Sequence, residues 1–463
     1  MPSPQIVWLR RDLRLADQPA FHAAASAGPV IAVFIFDDNR AGKRKYGGAS
    51  RWWLHGSLEA LARDLGRQGA RLVLRSGDVV EQLASIAKEA GTRSVHALRH
   101  YEPWWRKAER EVAAELDLSL YDGNYLLPPG SVTTGLGGQY KIYTPFAKAA
   151  LLRLPEREPL PAPKLAFPAD WPVSEDLEDW GLRPAKPDWA KGFRENWRCG
   201  EAAAAEQVDD FLDRVPHYDI ARNLPSLDGS SRLSPHLHWG EISPTQIWHA
   251  LEKRRGKGVE SFRGELLWRD YAQNIIHQFP NYPEASYRDE LEHLPWRDPS
   301  RDETVADELE AWQRGQTGYP IVDAGMRQLW ATGWMHNRVR MIAASFLVKH
   351  LLIDWRHGER WFWDTLVDAD YANNGVNWQW IAGSGVDANL FTRIMAPLSQ
   401  SEKFDAARYI REWVPELAAV PDDQTHDPEG LFRPSHYPDK VIGHKSGRER
   451  ALAAYRQMRA SIP

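Results

Sequence analysis

From residue 5 to about residue 122, short apolar runs alternate with segments of helical period. The runs are 6–9, 30–36, 72–74, 95–98 and 118–121, and between them residues 50–67, 78–90 and 104–116 bring an apolar side chain back once per helical turn. Such alternation predicts a doubly wound parallel sheet, so an α/β domain is expected over residues 1–125. The first run is followed by Trp8-Leu9-Arg10-Arg11-Asp12 in place of a Gly-x-Gly-x-x-Gly turn, which argues against a conventional dinucleotide site there. Residues 126–198 are studded with Pro and Gly, in Pro128-Pro129-Gly130 and in the stretch 155–187, and read as a long interdomain linker over the surface. From 199 to 463 helical period dominates, at 201–214, 243–255, 262–277, 305–313, 321–334 and 337–352, which predicts an all-α second domain.

Length agrees with this division, since 463 residues exceed what one hydrophobic core usually supports. The apolar run at 6–9 is cut off by Arg10, Arg11 and Asp12, neither a signal peptide nor a membrane span, so a cytoplasmic protein is expected. The single cysteine, Cys199, excludes an internal disulfide, a thiolate-held iron–sulfur cluster and a Cys-rich zinc site. Redox chemistry therefore needs a bound cofactor. A net charge of −5 gives no global footprint of nucleic-acid binding and leaves room only for a local basic groove. The 22 tryptophans offer flat surfaces for stacking on aromatic ligands or sugars, core packing being the plainer account of most.

Four segments carry candidate chemistry. In Glu265-Leu266-Leu267-Trp268-Arg269-Asp270, helical spacing puts Glu265, Trp268 and Arg269 on one face, either a ligand surface or a surface ion pair beside a packed indole. In 334–341, the face through Trp334, Asn337 and Met341 sets one amide in an apolar wall, suited to a nucleobase edge or to capping a loop; His336 reads as structural. Residues 368–380 pack Asp368, Asp370, Asn373, Asn374, Asn377, Trp378 and Trp380 into one stretch. Metal-binding carboxylates of a sugar-nucleotide transferase and the acids of a glycoside hydrolase are both open on that chemistry alone. Gly229-Ser230-Ser231-Arg232-Leu233-Ser234-Pro235 before a helix suits a phosphate at a helix N-terminus, or a plain N-cap.

Six motifs then occur in order: Trp8-Leu9-Arg10-Arg11-Asp12-Leu13-Arg14, Ser231-Arg232-Leu233-Ser234, Glu265 to Asp270, Gly318-Tyr319-Pro320-Ile321-Val322-Asp323, Gly333-Trp334-Met335-His336-Asn337-Arg338 and Trp378-Gln379-Trp380. Together they resemble, from end to end, a class I cyclobutane pyrimidine dimer photolyase of the photolyase/cryptochrome family. The resemblance implies a U-shaped FAD in the helical domain. Tyr218, Ser230, Ser231, Arg232, Leu233 and Ser234 match the segment holding its pyrophosphate and adenosine. Phe262, Arg269, Asn337 and Arg340 match the pocket lining, Asp368 and Asp370 the acids near the isoalloxazine and ribityl regions, and Asn374 the neighbour of flavin N5. It further implies UV-damaged DNA as partner, with a flipped-out dimer between Trp268 and Trp380, contacted by Glu265, Asn337 and Met341. Arg222, Arg269, Arg338 and Arg393 match positions meeting the DNA backbone. The implied reaction is light-driven electron transfer from FADH⁻ to the dimer, ring splitting and return of the electron, with no metal, and with Glu265 donating a hydrogen bond to the dimer when protonated. Trp378, Trp355 and Trp296 match a photoreduction chain running from flavin to surface, the region after Trp296 being longer than in the common pattern.

Within the family, Asn337 and Met341 stand where animal-type (6-4) enzymes carry a His pair, one cysteine rules out the cluster-containing (6-4) enzymes, and Trp380 stands where the single-strand-preferring group lacks an indole. A signalling cryptochrome is the alternative, opposed by the complete repair pocket and an end near 463 without an extended tail. Asn373, Gly375, Val376 and Asn377 depart from the common Ala-Asn-Asn-Gly-Gly form, and Met395-Ala396 stands where Phe-Asn is frequent; a one-residue shift would make Asn373 rather than Asn374 the N5 neighbour. Tyr101-Glu102-Pro103-Trp104-Trp105-Arg106 resembles the segment beside an antenna pocket, with no chromophore identified. No membrane or protein partner is implied, and a monomer is expected.

Overall fold

The five apolar runs form one parallel sheet, β1 (Gln5–Leu9), β2 (Val30–Phe36), β3 (Leu72–Ser76), β4 (Ser94–Leu98) and β5 (Asp117–Tyr121), in the order β3-β2-β1-β4-β5. The computed structural model describes residues 2–154, 157–388 and 390–461. Helices α1 (Pro19–Ala27), α2 (Gly48–Arg67), α3 (Val79–Ala90) and α4 (Pro103–Glu115) make the crossovers. Covered on both faces, a central strand of such a sheet is apolar throughout, and Ile6, Val7, Trp8 and Leu9 of β1 are fully buried. The expected α/β fold is therefore present. Helix α1 lacks an apolar stripe in the sequence because it is largely alanine, which favours helix without marking a face.

The chain packs as two units: Met1–Ala190 with Asn196–Pro216 and Ser231–Pro280, and Lys191–Glu195 with His217–Ser230 and Asn281–Pro463. Much of the segment expected as a linker thus belongs to the first unit, where it carries a helix of its own, α5 (Tyr143–Leu151); Pro155 and Glu156 lie outside the described residues. The first unit also contains α6 (Glu201–Arg214), α7 (Ser234–Trp239) and α8 (Lys257–Gln278). Polar side chains of α8 explain this packing. Asp270 and Asn274 accept from the backbone N–H groups of Leu127 and Gly130, each at 3.0 Å, and Gln273 accepts from the Tyr125 hydroxyl at 2.9 Å. Burial pushes the Asp270 carboxyl up to about 7. The fully buried Arg14 donates to the carbonyls of Asp17, Gly123 and Gly240 and to Asn124 Oδ1, joining the exit of β1 to the chain after β5 and to the end of α7. Gly240 has φ 66°, and a Cβ there would meet Arg11 O at 2.3 Å, so this junction requires glycine.

The second unit is helical, with α9 (Glu303–Arg314), α10 (Pro320–Thr332), α11 (Asn337–Ser345), α12 (Trp355–Thr365), α13 (Tyr371–Ala382) and α14 (His444–Ser461) among its elements. The helix expected over 337–352 ends at Ser345 and widens into a π turn, Phe346–His350. That turn buries Lys349, whose Nζ donates to the carbonyls of Ala382 and Phe391 at 3.0 and 2.9 Å. No helix among the described residues is long and apolar enough to cross a membrane.

Three histidines are buried as neutral bases. Burial first, and neighbouring cations after it, holds His336 down to about 4 and His100 to about 3, while burial and His444 hold His350 to about 3. A base whose folded value lies below its ordinary 6.5 stabilises the fold above that value and loses the contribution as pH falls towards the folded one. The denaturant midpoint of the protein is therefore expected to fall steadily from pH 7 to pH 4.5, followed by circular dichroism; an unchanged midpoint over that range contradicts the neutral burial of these rings.

Candidate cofactor and substrate residues

In the first unit, the residues preceding α7 fit an anionic group. Leu233 stands at the N-cap and supplies no side-chain acceptor, so the first-turn N–H groups are not capped by a side chain. Arg232 holds a left-handed φ of 54°, costly for a residue with a Cβ, and its guanidinium lies 5.9 Å from the Trp197 ring. Ser231 Oγ accepts weakly from Leu233 N at 3.4 Å, and Ser234 is exposed. Phe262 is buried against Phe211, their rings 4.5 Å apart.

On α8, Glu265 and Trp268 are half-buried. The Trp268 indole is covered on one face by Tyr143, the rings stacked at 3.5 Å and 7°, and it meets Tyr271 edge-on at 5.4 Å. The Tyr143 hydroxyl donates to Gly264 O at 2.9 Å, fixing the stack to the helix that carries Trp268. Arg269, expected to meet both cofactor and DNA, donates through its two terminal nitrogens to the carbonyls of Asn124 and Leu237, at 2.6 and 3.2 Å, and lies 4.5 Å from the Tyr125 ring.

In the second unit, Arg340 and Asp368 form a two-bonded pair at 3.1 and 2.9 Å, while Arg340 Nε donates to Met335 O. Asp370 caps α13, accepting from both the backbone and the side-chain nitrogen of Asn373 at 2.8 Å. Asn374 is buried and is held from the other side: its Nδ2 donates to Glu359 O at 3.0 Å and to Glu359 Oε1 at 2.8 Å. Since a backbone carbonyl only accepts, the amide must present its NH₂ to Glu359, and Oδ1 is the group it keeps for another donor.

Trp378 lies one turn beyond Asn374 on the same face of α13. Its indole is edge-on to Phe362 at 5.0 Å and to Trp312 at 6.3 Å. Of the other two indoles expected in a chain, Trp355 is fully buried and Trp296 is half-buried, 6.3 Å from Phe391. Trp380 is half-buried and, two residues from Trp378, points to nearly the opposite side of the helix.

Asn337 opens α11 and is exposed, Met341 is half-buried one turn on, and Arg338 between them donates to Met341 Sδ at 3.7 Å and lies 4.9 Å from the Phe404 ring. Tyr218 is buried beneath the Arg222 guanidinium, 5.2 Å from the ring; Ser230 is half-buried and Arg393 exposed. Tyr143, Glu359 and Trp312 were not singled out in the sequence. Each acts through a contact between distant segments, and none belongs to a local pattern that would announce it.

In the first unit the uncapped amides at the start of α7 match a phosphate; in the second unit, taken by itself, the carbonyl oxygen of Asn374 matches a ring N–H. Residues 5–164 match the family described as DNA photolyase, and residues 262–457 the one described as the FAD binding domain of DNA photolyase. A deoxyribodipyrimidine photo-lyase of Agrobacterium fabrum is 44% identical over 98% of each chain. Cryptochrome-1 of Arabidopsis thaliana is 33% identical over 98% of this chain and 70% of its own. The crystal structure of a bacterial class III photolyase from Agrobacterium tumefaciens superposes with a TM-score of 0.94 at 43% identity, covering 100% of this chain and 98% of that one.

Helix α12 approaches α13 at Gly358, where a Cβ would meet Trp378 Cη2 at 2.1 Å. Gly358→Ala is expected to cost roughly 1–3 kcal/mol in unfolding free energy and to perturb Trp378 fluorescence. Gly66→Ala, in α2 with nothing within 4 Å of its Cβ, is expected to be neutral or stabilising by up to about 1 kcal/mol. Equal effects of the two changes in urea unfolding would contradict the close approach.

Proposed function

The chain belongs to the photolyase/cryptochrome family, and within it we propose that the protein uses light to split cyclobutane pyrimidine dimers in DNA, as a photolyase of class III rather than the class I expected from its motifs. The class rests on the crystal structure matched at a TM-score of 0.94, which is described as class III. The repair activity rests on a relative named photo-lyase over nearly the whole chain. The observation that carries the flavin chemistry is the fixed amide of Asn374, one helical turn from a buried indole. Bound FAD, in its reduced form, supplies the electron that light drives to the dimer.

The protein's own groups orient and exclude water. Among residues of the first unit, the N–H groups before α7, with Ser231, Arg232, Leu233 and Ser234, bind phosphate, and buried Phe262 supplies an apolar wall. Among residues of the second, Tyr218 and Ser230 serve the adenosine end, and the Arg340–Asp368 pair with Asp370 holds the flavin end. Asn374 Oδ1 would accept a hydrogen bond from the N–H of the reduced ring; Asn373, half-buried and on the face that carries the exposed Asn377 rather than Trp378, is the poorer candidate. Trp378, Trp355 and Trp296 relay electrons for photoreduction.

Half-buried Trp268 stacks on one pyrimidine, Trp380, Asn337 and Met341 contact the dimer, and Glu265 donates to it when protonated. Arg222, Arg338 and Arg393 meet phosphates; Arg269, engaged by two carbonyls, holds α8 in place. We read the protein as a cytoplasmic monomer with UV-damaged DNA as its partner, its α/β domain able to take an antenna chromophore whose identity stays open.

The test is to illuminate the reduced protein with DNA carrying either a thymine cyclobutane dimer or a (6-4) product. Light-dependent loss of the first alone is expected. A flavoprotein that photoreduces yet repairs neither lesion is a cryptochrome, and a protein that binds no FAD refutes the whole assignment. In the same assay, Tyr143→Ala removes a stacking contact of about 0.5–1.5 kcal/mol beneath Trp268 and is expected to weaken binding of dimer-containing DNA by roughly 2- to 10-fold, with photoreduction unchanged. Unaltered affinity would show that the stack plays no part in the substrate surface.

A further inference from the structure

We propose that His55, Glu59 and Glu178 form a binding site for one divalent cation of the zinc type. His55 and Glu59 are one turn apart on α2 and share a face, and Glu178 comes from the short turn Leu177–Trp180 in the same unit. His55 Nε2 lies 3.3 Å from Glu178 Oε1 and 3.9 Å from Glu59 Oε1, and the three ligand atoms all lie within 4.8 Å of one another. Tetrahedral zinc, with nitrogen and oxygen ligands at about 2.0–2.2 Å, separates its ligand atoms by roughly 3.3–3.5 Å. The His55–Glu178 edge already has that length. The His55–Glu59 edge is a few tenths of an ångström longer and the edge between the two carboxylates no longer than 4.8 Å, differences within reach of rotation of the Glu59 and Glu178 side chains, the second of them exposed.

The independent sign of a ligand is His55 itself. The residue is 1% exposed, yet neither ring nitrogen has a hydrogen-bond partner among the described residues. Its approach to Glu178 is short enough for a hydrogen bond but lies off the line one requires, which is how two ligands of a common metal stand to each other.

The surroundings fit. Arg183 donates to Glu59 Oε2, which orients that carboxylate and leaves Oε1 for the ion, while its positive charge moderates the affinity. Glu178 sits on an anchored turn: Asp176 accepts from its backbone N–H at 3.0 Å, and Trp180 stacks on Phe36 of β2 at 5.4 Å. Two carboxylates balance the charge of the ion, and water completes four ligands. The ion ties α2 to the segment 176–181, bracing the crossover of the sheet.

The full chain, stripped with a chelator, is titrated with zinc by calorimetry and its thermal unfolding followed with and without the metal. One equivalent is expected to bind and to raise the Tm. Glu178→Gln, at an exposed position, is expected to lower zinc affinity at least tenfold while leaving the Tm of the stripped protein unchanged, and His55→Gln to abolish the same binding event. The proposal is overturned if the stripped protein takes up no stoichiometric zinc, or if Glu178→Gln and His55→Gln bind it as tightly as the parent.

Discussion

The candidate flavin chemistry of the second unit depends on one contact, that between α12 and α13 at Gly358. With no side chain there, the Trp378 ring can lie directly against the α12 backbone; any Cβ would drive it away. The next residue on α12, Glu359, clamps Asn374, one turn before Trp378 on α13. Two consecutive residues of one helix thus orient the two residues of the other that a flavin would need, an amide with a free carbonyl oxygen and a buried indole. Displacing either helix moves both together, so the geometry is specified by packing and not by the local sequence of α13.

That dependence explains what was legible in the sequence. Strands β1 and β2 announced themselves because strands buried on both faces are continuous apolar runs, whereas the edge strand β5 alternates polar and apolar residues and is only partly buried; the observed ends of all five differ from the expected ones by no more than two residues. The expected helix over 243–255 stops at Ala250, because Gly256 takes φ 120° to start α8 and the intervening residues form turns. The stretch 126–198 looked like a loose connection because its partners are side chains of α8, remote in sequence; composition shows Pro and Gly but not the acceptors waiting at Asp270, Gln273 and Asn274. Among site residues, resemblance named Asn374 and Trp268, whereas Glu359 and Tyr143, which fix the orientation of one and cover a face of the other, required the folded chain.

Burial sorts the tryptophans in a way composition could not. Trp8, Trp53, Trp239 and Trp312 are fully buried, and their part is packing, with Trp312 also donating to Ala343 O. Trp268, Trp296 and Trp380 are half-buried, the state of an indole with a face or edge left for something else. Trp355 and Trp378 are buried like the core residues, but lie at the start of α12 and in the middle of α13, on the two helices joined at Gly358.

The acidic balance is compatible with a nucleic-acid partner once pairing is considered. Arg10 is buried against Glu109, Arg40 meets Asp37, Asp78 and Glu111, Arg327 meets Glu416, and Arg340 meets Asp368. The one-to-one pairs cancel locally, whereas Arg40 among three carboxylates leaves a local acidic excess, so the net charge of −5 is unevenly distributed and does not describe the field at any one surface. Arg338 donates to Asn223 Oδ1 and to Met341 Sδ and lies over the Phe404 ring, contacts that fix where its guanidinium sits. A few guanidinium groups fixed on one surface suffice for backbone binding whatever the sign of the whole.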